Sequence, residues 1–327
     1  MSTDEPSVAD EVRTTVTVDT DQPWALIGLA VFWGWLLARW TNDFLLPAGL
    51  AVPREQSFFP VGPFEAARET LLSVAASLGL FGAPFAFLAG LFSFVVGAIP
   101  SLPALGRGAW LTIVLTVGGI ALGFVLAVPL SVARVYGGRW LRWVSLSYTE
   151  LIRGTPLLAQ LFVLYFGLPL TQIIREVPGV GVGYVPGTAA WVAIIGFTLN
   201  SAAYQAEYIR SALESVDAGQ LTAARSIGLS KVESIRYVVL PQGLRYAIPS
   251  WSNELVYLIK YSSLAAFITV RELFFQAESI ANETFRYTEL YVLAALFYLA
   301  LVISASVLMN GVETKTALPG LGGKREA

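Results

Sequence analysis

The side chains that could do chemistry in this chain are few, and the missing ones narrow the field first. Its 327 residues contain neither histidine nor cysteine. The commonest general base, the commonest nitrogen ligand for a metal and every thiolate are therefore absent. Carboxylates remain, and alone they make a poor case for an enzyme. The glycines of GlyValGlyValGlyTyr at 179–184 alternate as in a phosphate loop, but no Lys-Ser/Thr follows. That segment reads as a flexible connection. No nucleotide fingerprint occurs elsewhere, and no nucleic-acid partner is expected.

Charged and polar residues inside apolar runs are more informative. Asn253, Tyr257, Lys260 and Leu264 share one helical face, and Asn200, Tyr204, Glu207 and Ser211 share another. An unpaired cation at mid-bilayer costs roughly 3 kcal/mol or more, so the lysine face should look into a bundle or a watery cavity. One reading makes these faces, with Ser262 and Ser263, the lining of a path for a polar solute. The other makes Lys260 a lock paired with Glu254 or Glu207, or a snorkelling residue. Arg153, Gly154, Thr155 and Pro156 join a helix breaker to a polar pair. That combination suits a hinge or gate, or simple helix packing.

The elements that must hold these residues are membrane helices. More than half of the chain is apolar and 13% is charged, too little charge for the surface of a soluble protein this long. Runs of about 20 apolar residues span a core of roughly 30 Å. They fall at 24–41, 73–99, 108–133, 143–168, 188–207, 246–268 and 289–311. Gly82 and Pro84 predict a kink in the second, and 42–72 could lie along the interface. Residues 1–22 form an acidic polar tail without the features of a signal peptide, so the first run is expected to stay as an anchor.

One polar island, 217–241, interrupts this pattern. Asp217 can cap a first short helix, and Gly228 can end it as a left-handed residue. Ser230 and Glu233 form a capping box for a second, which Pro241 should help to terminate. The bland alternative is an amphipathic hairpin on lipid headgroups, with Val232, Ile235 and Val239 facing the bilayer.

Basic residues set the orientation. The 134–142 loop, the island and the tail are rich in Arg and Lys, whereas the 169–187 and 269–288 loops are balanced or acidic. Arg54 and Arg68 lie in the 40–72 connection. Counting these charges predicts a multi-pass protein of the cell membrane with the N-terminus outside and the C-terminus inside. The island and the 40–72 connection would then be cytoplasmic, and 169–187 and 269–288 external.

An ordered set of motifs carries a resemblance. GluLeuIleArgGlyThrProLeuLeuAlaGlnLeuPhe (150–162), AlaAlaTyrGlnAlaGlu (202–207), SerValAspAlaGlyGln (215–220) and ThrAlaAlaArgSerIleGlyLeuSer (222–230) come first. ValValLeuProGln (238–242), LeuIleLysTyrSerSerLeu (258–264) and ValArgGluLeu (270–273) follow. From about 108 to 313 the chain resembles the permease subunit of type I ATP-binding-cassette importers, in the branch for polar amino acids.

The resemblance implies an all-α integral membrane fold of about seven transmembrane helices. A five-helix type I importer core at 105–315 would follow two extra helices and their connection at 23–104, and a cytoplasmic tail at 316–327 would close the chain. A docking loop at 214–241, through Asp217, Gly219, Gln220, Thr222, Ala223, Ala224, Gly228, Leu240 and Pro241, would meet a dimer of ATPase subunits. These would hold ATP and Mg; this chain would bind no cofactor or metal. A second permease subunit, identical or not, an extracytoplasmic solute-binding protein, membrane lipid and a small polar amino acid complete the implied partners. Two positions depart from the family pattern. Thr222 stands where glutamate is usual, and Tyr261 where an acid usually follows the lysine. The competing function is an ion-coupled secondary transporter using Lys260, Glu254 and Glu207, which an internal repeat would support. A membrane scaffold or sensor is a third class, without polar faces inside the bundle.

Overall fold

The computed structural model describes residues 23–47 and 51–316. Helices make up its elements, with no strand among the described residues. The acidic tail 1–22 and the tail beyond Thr316 lie outside the described residues, and so do the expectations for them. The first helix, α1 (Pro23–Trp40), runs into a π turn at Thr41–Leu45. Two shorter helices follow, α2 (Gly62–Leu78) and α3 (Ala83–Ala98), then the long α4 (Leu102–Tyr136). After these come α5 (Arg139–Arg153), α6 (Leu157–Phe162), α7 (Leu170–Arg175) and α8 (Thr188–Ser215). The island forms α9 (Ala218–Ser226) and α10 (Lys231–Ser234). The chain ends in α11 (Leu240–Tyr261), α12 (Leu273–Thr284) and α13 (Tyr287–Thr316).

Small residues let the central pair approach closely. A Cβ on Gly119 of α4 would lie 2.8 Å from the Phe197 Cβ of α8, and one on Gly123 would lie 2.9 Å from Gln205 Nε2. Glycines four apart on one face remove the bulk that would hold two backbones apart, which is how helices pack where lipid gives no hydrophobic drive. Around this pair, Leu115, Leu161, Phe197 and Ile268 form one buried cluster, and Ala127, Ile209, Leu213 and Val239 form another. Glu272 is buried and caps α12, accepting from the Phe274 and Phe275 amides at 2.9 and 2.8 Å. The Tyr298 hydroxyl donates to the same carboxylate at 2.7 Å, joining α13 to the group.

The second apolar run does not form one kinked span. It folds back as an antiparallel pair, with Phe64 and Phe92 rings 6.3 Å apart and Gly82 against the Ala75 carbonyl. Gly79, at φ 54°, supplies the reversal that a side chain resists. Pro84 starts the returning helix, where a missing N–H costs little. At the base of the pair, the Arg286 guanidinium lies over Gly97, in space a Cβ there would fill.

Charge counting also misplaces the 40–72 connection. Arg39 is fully buried beside Asp43 at 2.8 Å and donates to the Gln56 carbonyl at 2.8 Å; Arg54 donates to the Asp43 carbonyl at 2.9 Å. Trp40 Nε1 donates to the Gly106 carbonyl at 2.7 Å, at the start of α4. Glu55 and Arg107 line a cavity of about 500 Å³ together with Glu283 and Arg286. The connection therefore lies at the same end of the bundle as the 269–288 loop, not the opposite one. Two turns back along α1, Trp33 Nε1 donates to Ser304 Oγ, well down α13. The first helix thus runs antiparallel to the last, and Pro23 and Thr316 point toward the same end. The arginines mislead because Arg54, though exposed, is committed to the Asp43 carbonyl and Arg68 lies beside Glu69, while the positive-inside rule weighs free loop cations.

Candidate functional site

The island carries the caps its sequence specifies. Asp217 Oδ1 accepts from the Gly219 amide at 2.7 Å, satisfying a free donor at the start of α9. At the other end Gly228 has φ 98°. Its amide donates to the Arg225 carbonyl at 3.0 Å, and the Leu229 amide donates to the Ala224 carbonyl at 3.3 Å. That pair of bonds is the Schellman motif, which closes off the last carbonyls of a helix. The Ser230 amide donates to Glu233 Oε2 at 2.8 Å and the Glu233 amide to Ser230 Oγ at 3.3 Å, completing the capping box.

Pro241 does not end the second helix. From α10 the chain passes through a π turn at Ile235–Val239 straight into α11, with Pro241 in its first turn. The wider turn gives the proline ring room against the preceding carbonyls, so the helix continues. Ile235 and Val239 are buried, and of the three residues an amphipathic hairpin would turn to lipid, Val232 alone is exposed. Asp217, Gly219, Gln220, Thr222, Ala223, Gly228 and Pro241 are exposed, Leu240 is half-buried and Ala224 is buried. A cleft of about 510 Å³ opens between the two arms, lined by Thr222, Arg225, Gly228, Leu229, Ser230 and Glu233 among others. Lys231 Nζ donates to the Tyr136 carbonyl at 2.9 Å, pinning the hairpin to the end of α4.

Residues 153–156 form a break between two helices. α5 stops at Arg153 and α6 starts at Leu157, with Pro156 extended between them. Gln160 takes the place of the lost ladder. Its Nε2 donates to the Ile152 carbonyl at 2.7 Å and to Thr155 Oγ1 at 2.9 Å, and its Oε1 accepts from Asn200 Nδ2 at 3.1 Å. Gln160 sits inside the 150–162 motif, four residues after the proline, and that spacing was the signal for it.

On α8, the buried Asn200 thus faces the break. Tyr204 lies under the Arg153 guanidinium, 5.4 Å from ring centroid to Cζ, and Glu207 is 3.9 Å from Arg153. On α11, Asn253, Tyr257 and Lys260 are exposed along one face. Lys260 Nζ sits 4.8 Å above the Tyr257 ring, and Tyr261 stacks on the same tyrosine at 6.1 Å.

Two expectations about this region fail. Lys260 pairs with neither Glu254 nor Glu207, and it occupies the last turn of α11 rather than mid-helix. Glu254 is turned the other way, buried against α8, where Ser201 Oγ donates to it at 3.0 Å. Ser262 is buried and donates to the Ile259 carbonyl at 2.7 Å, so it leaves the exposed face, whereas Ser263 stays partly open. Residues absent from the sequence reading complete this layer. Gln205 donates to the Ile120 carbonyl at 3.0 Å and to Ser201 Oγ at 2.8 Å, and accepts from Trp251 Nε1. The result is a polar tie across α4, α8 and α11 that turns the apolar sides of these helices together. Among the described residues no group of three or more acids could hold a metal ion.

Residues 119–317 match the family model described as the binding-protein-dependent transport system inner membrane component. The probable amino-acid ABC transporter permease YckA of Bacillus subtilis (strain 168) is 42% identical over 220 residues, covering 67% of this chain and 92% of its own length. The glutamine transport system permease GlnP of Escherichia coli (strain K12) is 36% identical over 216 residues, covering 66% of this chain and 94% of that protein. A crystal structure of an amino acid ABC transporter with histidines superposes with a TM-score of 0.57 at 30% identity, over 67% of this chain and 97% of that one. The inward-facing MetNI methionine transporter aligns at TM-score 0.56 and 20% identity, over 67% and 99%. That last likeness is one of fold alone.

Proposed function

The chain belongs to the family of binding-protein-dependent transport inner membrane components, and on that premise we propose that it is the permease subunit of an ATP-driven importer of polar amino acids. The observation that carries the proposal is the hairpin at 217–241, capped at both ends of its first helix and at the start of its second, with Gly219, Ala223 and Gly228 exposed. Such an element is a rigid handle rather than a lipid anchor. A dimer of ATPase subunits takes one handle from each of two permease subunits. ATP and Mg are held there and hydrolysed there, not on this chain. The ATPase grips the handles differently when open and when closed, and that difference in contact energy shifts the permease between outward- and inward-facing states.

The amino acid arrives from an extracytoplasmic binding protein at the end bearing the 169–187 and 269–288 loops. It passes the faces of Asn200, Tyr204 and Glu207 and of Asn253, Tyr257 and Lys260. The second face is open in a single chain, so a second permease subunit closes the path. Arg153, Gly154, Thr155 and Pro156 form the hinge beside it. With the handle in the cytoplasm, both described ends of the chain face the cytoplasm and the 40–72 connection faces outward. An ion-coupled mechanism would need Lys260 to exchange charge with Glu254 or Glu207, and the exposed stack on Tyr257 gives it no such partner.

The test is purification of the tagged wild-type chain from its own membranes, followed by reconstitution with the ATPase that accompanies it. We expect ATP-dependent uptake of a polar amino acid, and a Lys260→Met variant that assembles normally but transports at least about tenfold more slowly. Uptake driven by an ion gradient with no ATPase present would overturn the proposal.

A further inference from the structure

Four charges at the foot of α8 form one chain. Glu207 divides its two oxygens. Oε1 accepts from Arg210 Nε at 2.8 Å, while Oε2 faces Arg153 at 3.9 Å. Arg210 divides its fork in the same way, giving Nε and Nη2 to Glu207 and Nη1 to Glu214 at 2.5 Å. The order is Arg153, Glu207, Arg210, Glu214, alternating in sign, with Arg210 hydrogen-bonded on both sides and Glu207 hydrogen-bonded to Arg210 and within ion-pair distance of Arg153. One end is the last residue of α5, at the break that Gln160 and Asn200 hold. The other end lies three residues before Asp217, the cap of the docking hairpin. Just beyond it, Val216 is buried with Leu213 and Val239.

We infer that Arg210 is the positioning residue of a relay that carries movement of the docking hairpin to the break beside the path. The inference rests on the docking role proposed above. Its physical basis is geometric. Glu207, Arg210 and Glu214 follow one another at three- and four-residue spacing on one face, so they move with the lower part of α8 as a unit. Arg153 belongs to a different helix and is the only member that crosses to the hinge. A single exposed ion pair contributes little. A forked arginine shared by two carboxylates fixes orientation as well as distance, and lysine cannot reproduce that fork. When the root of the hairpin shifts, Arg210 turns Glu207, and Glu207 pulls or releases the end of α5. Arg210 touches no transported solute in this scheme and acts through Glu207 and Arg153.

The experiment uses the full chain reconstituted with its co-purifying ATPase and measures amino-acid uptake per ATP hydrolysed. Arg210→Gln should keep ATPase co-purification and basal hydrolysis within about twofold, and lower uptake per ATP about tenfold. Arg153→Gln should lower the same ratio by a similar factor. The double variant should fall no further than the worse single one, because both cut one route. Arg210→Lys, which keeps charge and fold but satisfies one carboxylate at a time, should lose about threefold and serves if the glutamine variant does not fold. Losses that multiply in the double variant, or an unchanged ratio in Arg210→Gln and Arg210→Lys alike, would overturn the relay. Loss of ATPase co-purification in Arg210→Gln would overturn it too, since Arg210 would then be a docking contact. A wild-type chain that brings down no ATPase would instead remove the docking premise, and that result is read before any variant is made.

Discussion

The 217–241 hairpin and the connection between α1 and α2 are both polar segments between apolar helices, and they are held in different ways. The shape of the hairpin is fixed by partners two to five residues away, Asp217 to Gly219, Ser230 to Glu233 and Leu229 to Ala224, while Lys231 ties it to the Tyr136 carbonyl. The connection is fixed from a distance. Arg39 reaches Gln56, Asn42 brackets Val52 with bonds of 2.9 and 2.8 Å, and Arg107 of α4 comes to 3.9 Å from Asp43. Nearest-neighbour bonds make a piece that keeps its shape while the rest of the molecule moves. Long-range bonds make a piece that keeps its place. A handle needs the first property and a seal between an addition and a core needs the second.

The placement of the two regions can be tested all or none. Single cysteines introduced into this cysteine-free chain at Glu55, Thr188 and Ser226 should react with an impermeant thiol reagent from two sides of the membrane. The first two should label together and the third from the opposite face. Glu55 labelling with Ser226 would restore the orientation that loop charges suggest and break the comparison at its base.

A large energetic effect is expected at the seal. Arg39→Leu strands Asp43 as a buried charge without its nearest cation, which costs about 3–5 kcal/mol. Thermal unfolding in detergent should show it as a marked loss, and proteolysis should open the 42–61 segment first. A loss below about 1 kcal/mol would mean that the connection is not sealed by this pair.

The handle should respond differently. Gly228→Val forces a β-branched side chain into a left-handed conformation, at a cost of about 1–2 kcal/mol confined to the hairpin. Overall melting should barely change, while ATPase co-purification and substrate-stimulated hydrolysis fall. Normal coupling in this variant would show that the shape of the hairpin is unimportant.

The smallest effect concerns protons. Hydrogen bonds from the Ser230 side chain and amide hold the Glu233 carboxyl below its usual range. A depressed carboxyl stabilises the fold fully above its unfolded value of about 4.3, and the contribution fades as pH falls through the lower folded value. Amide exchange at 230–234 should therefore be protected at neutral pH and loosen only below about pH 4. Glu233→Gln should remove that dependence. Loosening already near neutrality would contradict the box.

This contrast also accounts for what could be read in advance. Asp217, Gly228 and Ser230 with Glu233 were legible because cap and capped group share one turn of chain. Pro241 was not, since a π turn just before it changes what a proline can tolerate. The reversal at Gly79–Gly82 looked like a kink because glycine and proline permit both outcomes, and the choice lies in packing such as Phe64 on Phe92. The polar faces of α8 and α11 followed from helical spacing. Which side Glu254 turned to depended on Ser201, 53 residues away. Loop charge put the hairpin and 40–72 on one side, whereas Glu55 shares a cavity with Glu283 and Arg286 at the end of the bundle away from the hairpin.

The α2–α3 pair has a consequence for the bilayer. Its helices of 17 and 16 residues reach about 24–26 Å, less than a hydrocarbon core of roughly 30 Å. Its tip presents Leu80 and Phe81, 98% and 82% exposed, with no charge to meet headgroups on the far side. Such a tip is most comfortable among acyl chains. A pair that enters from one surface and returns to it then stops just short of the other. In mechanical terms it is a finger beside the permease core, and its fit depends on the thickness of the bilayer around it rather than on the solute being carried.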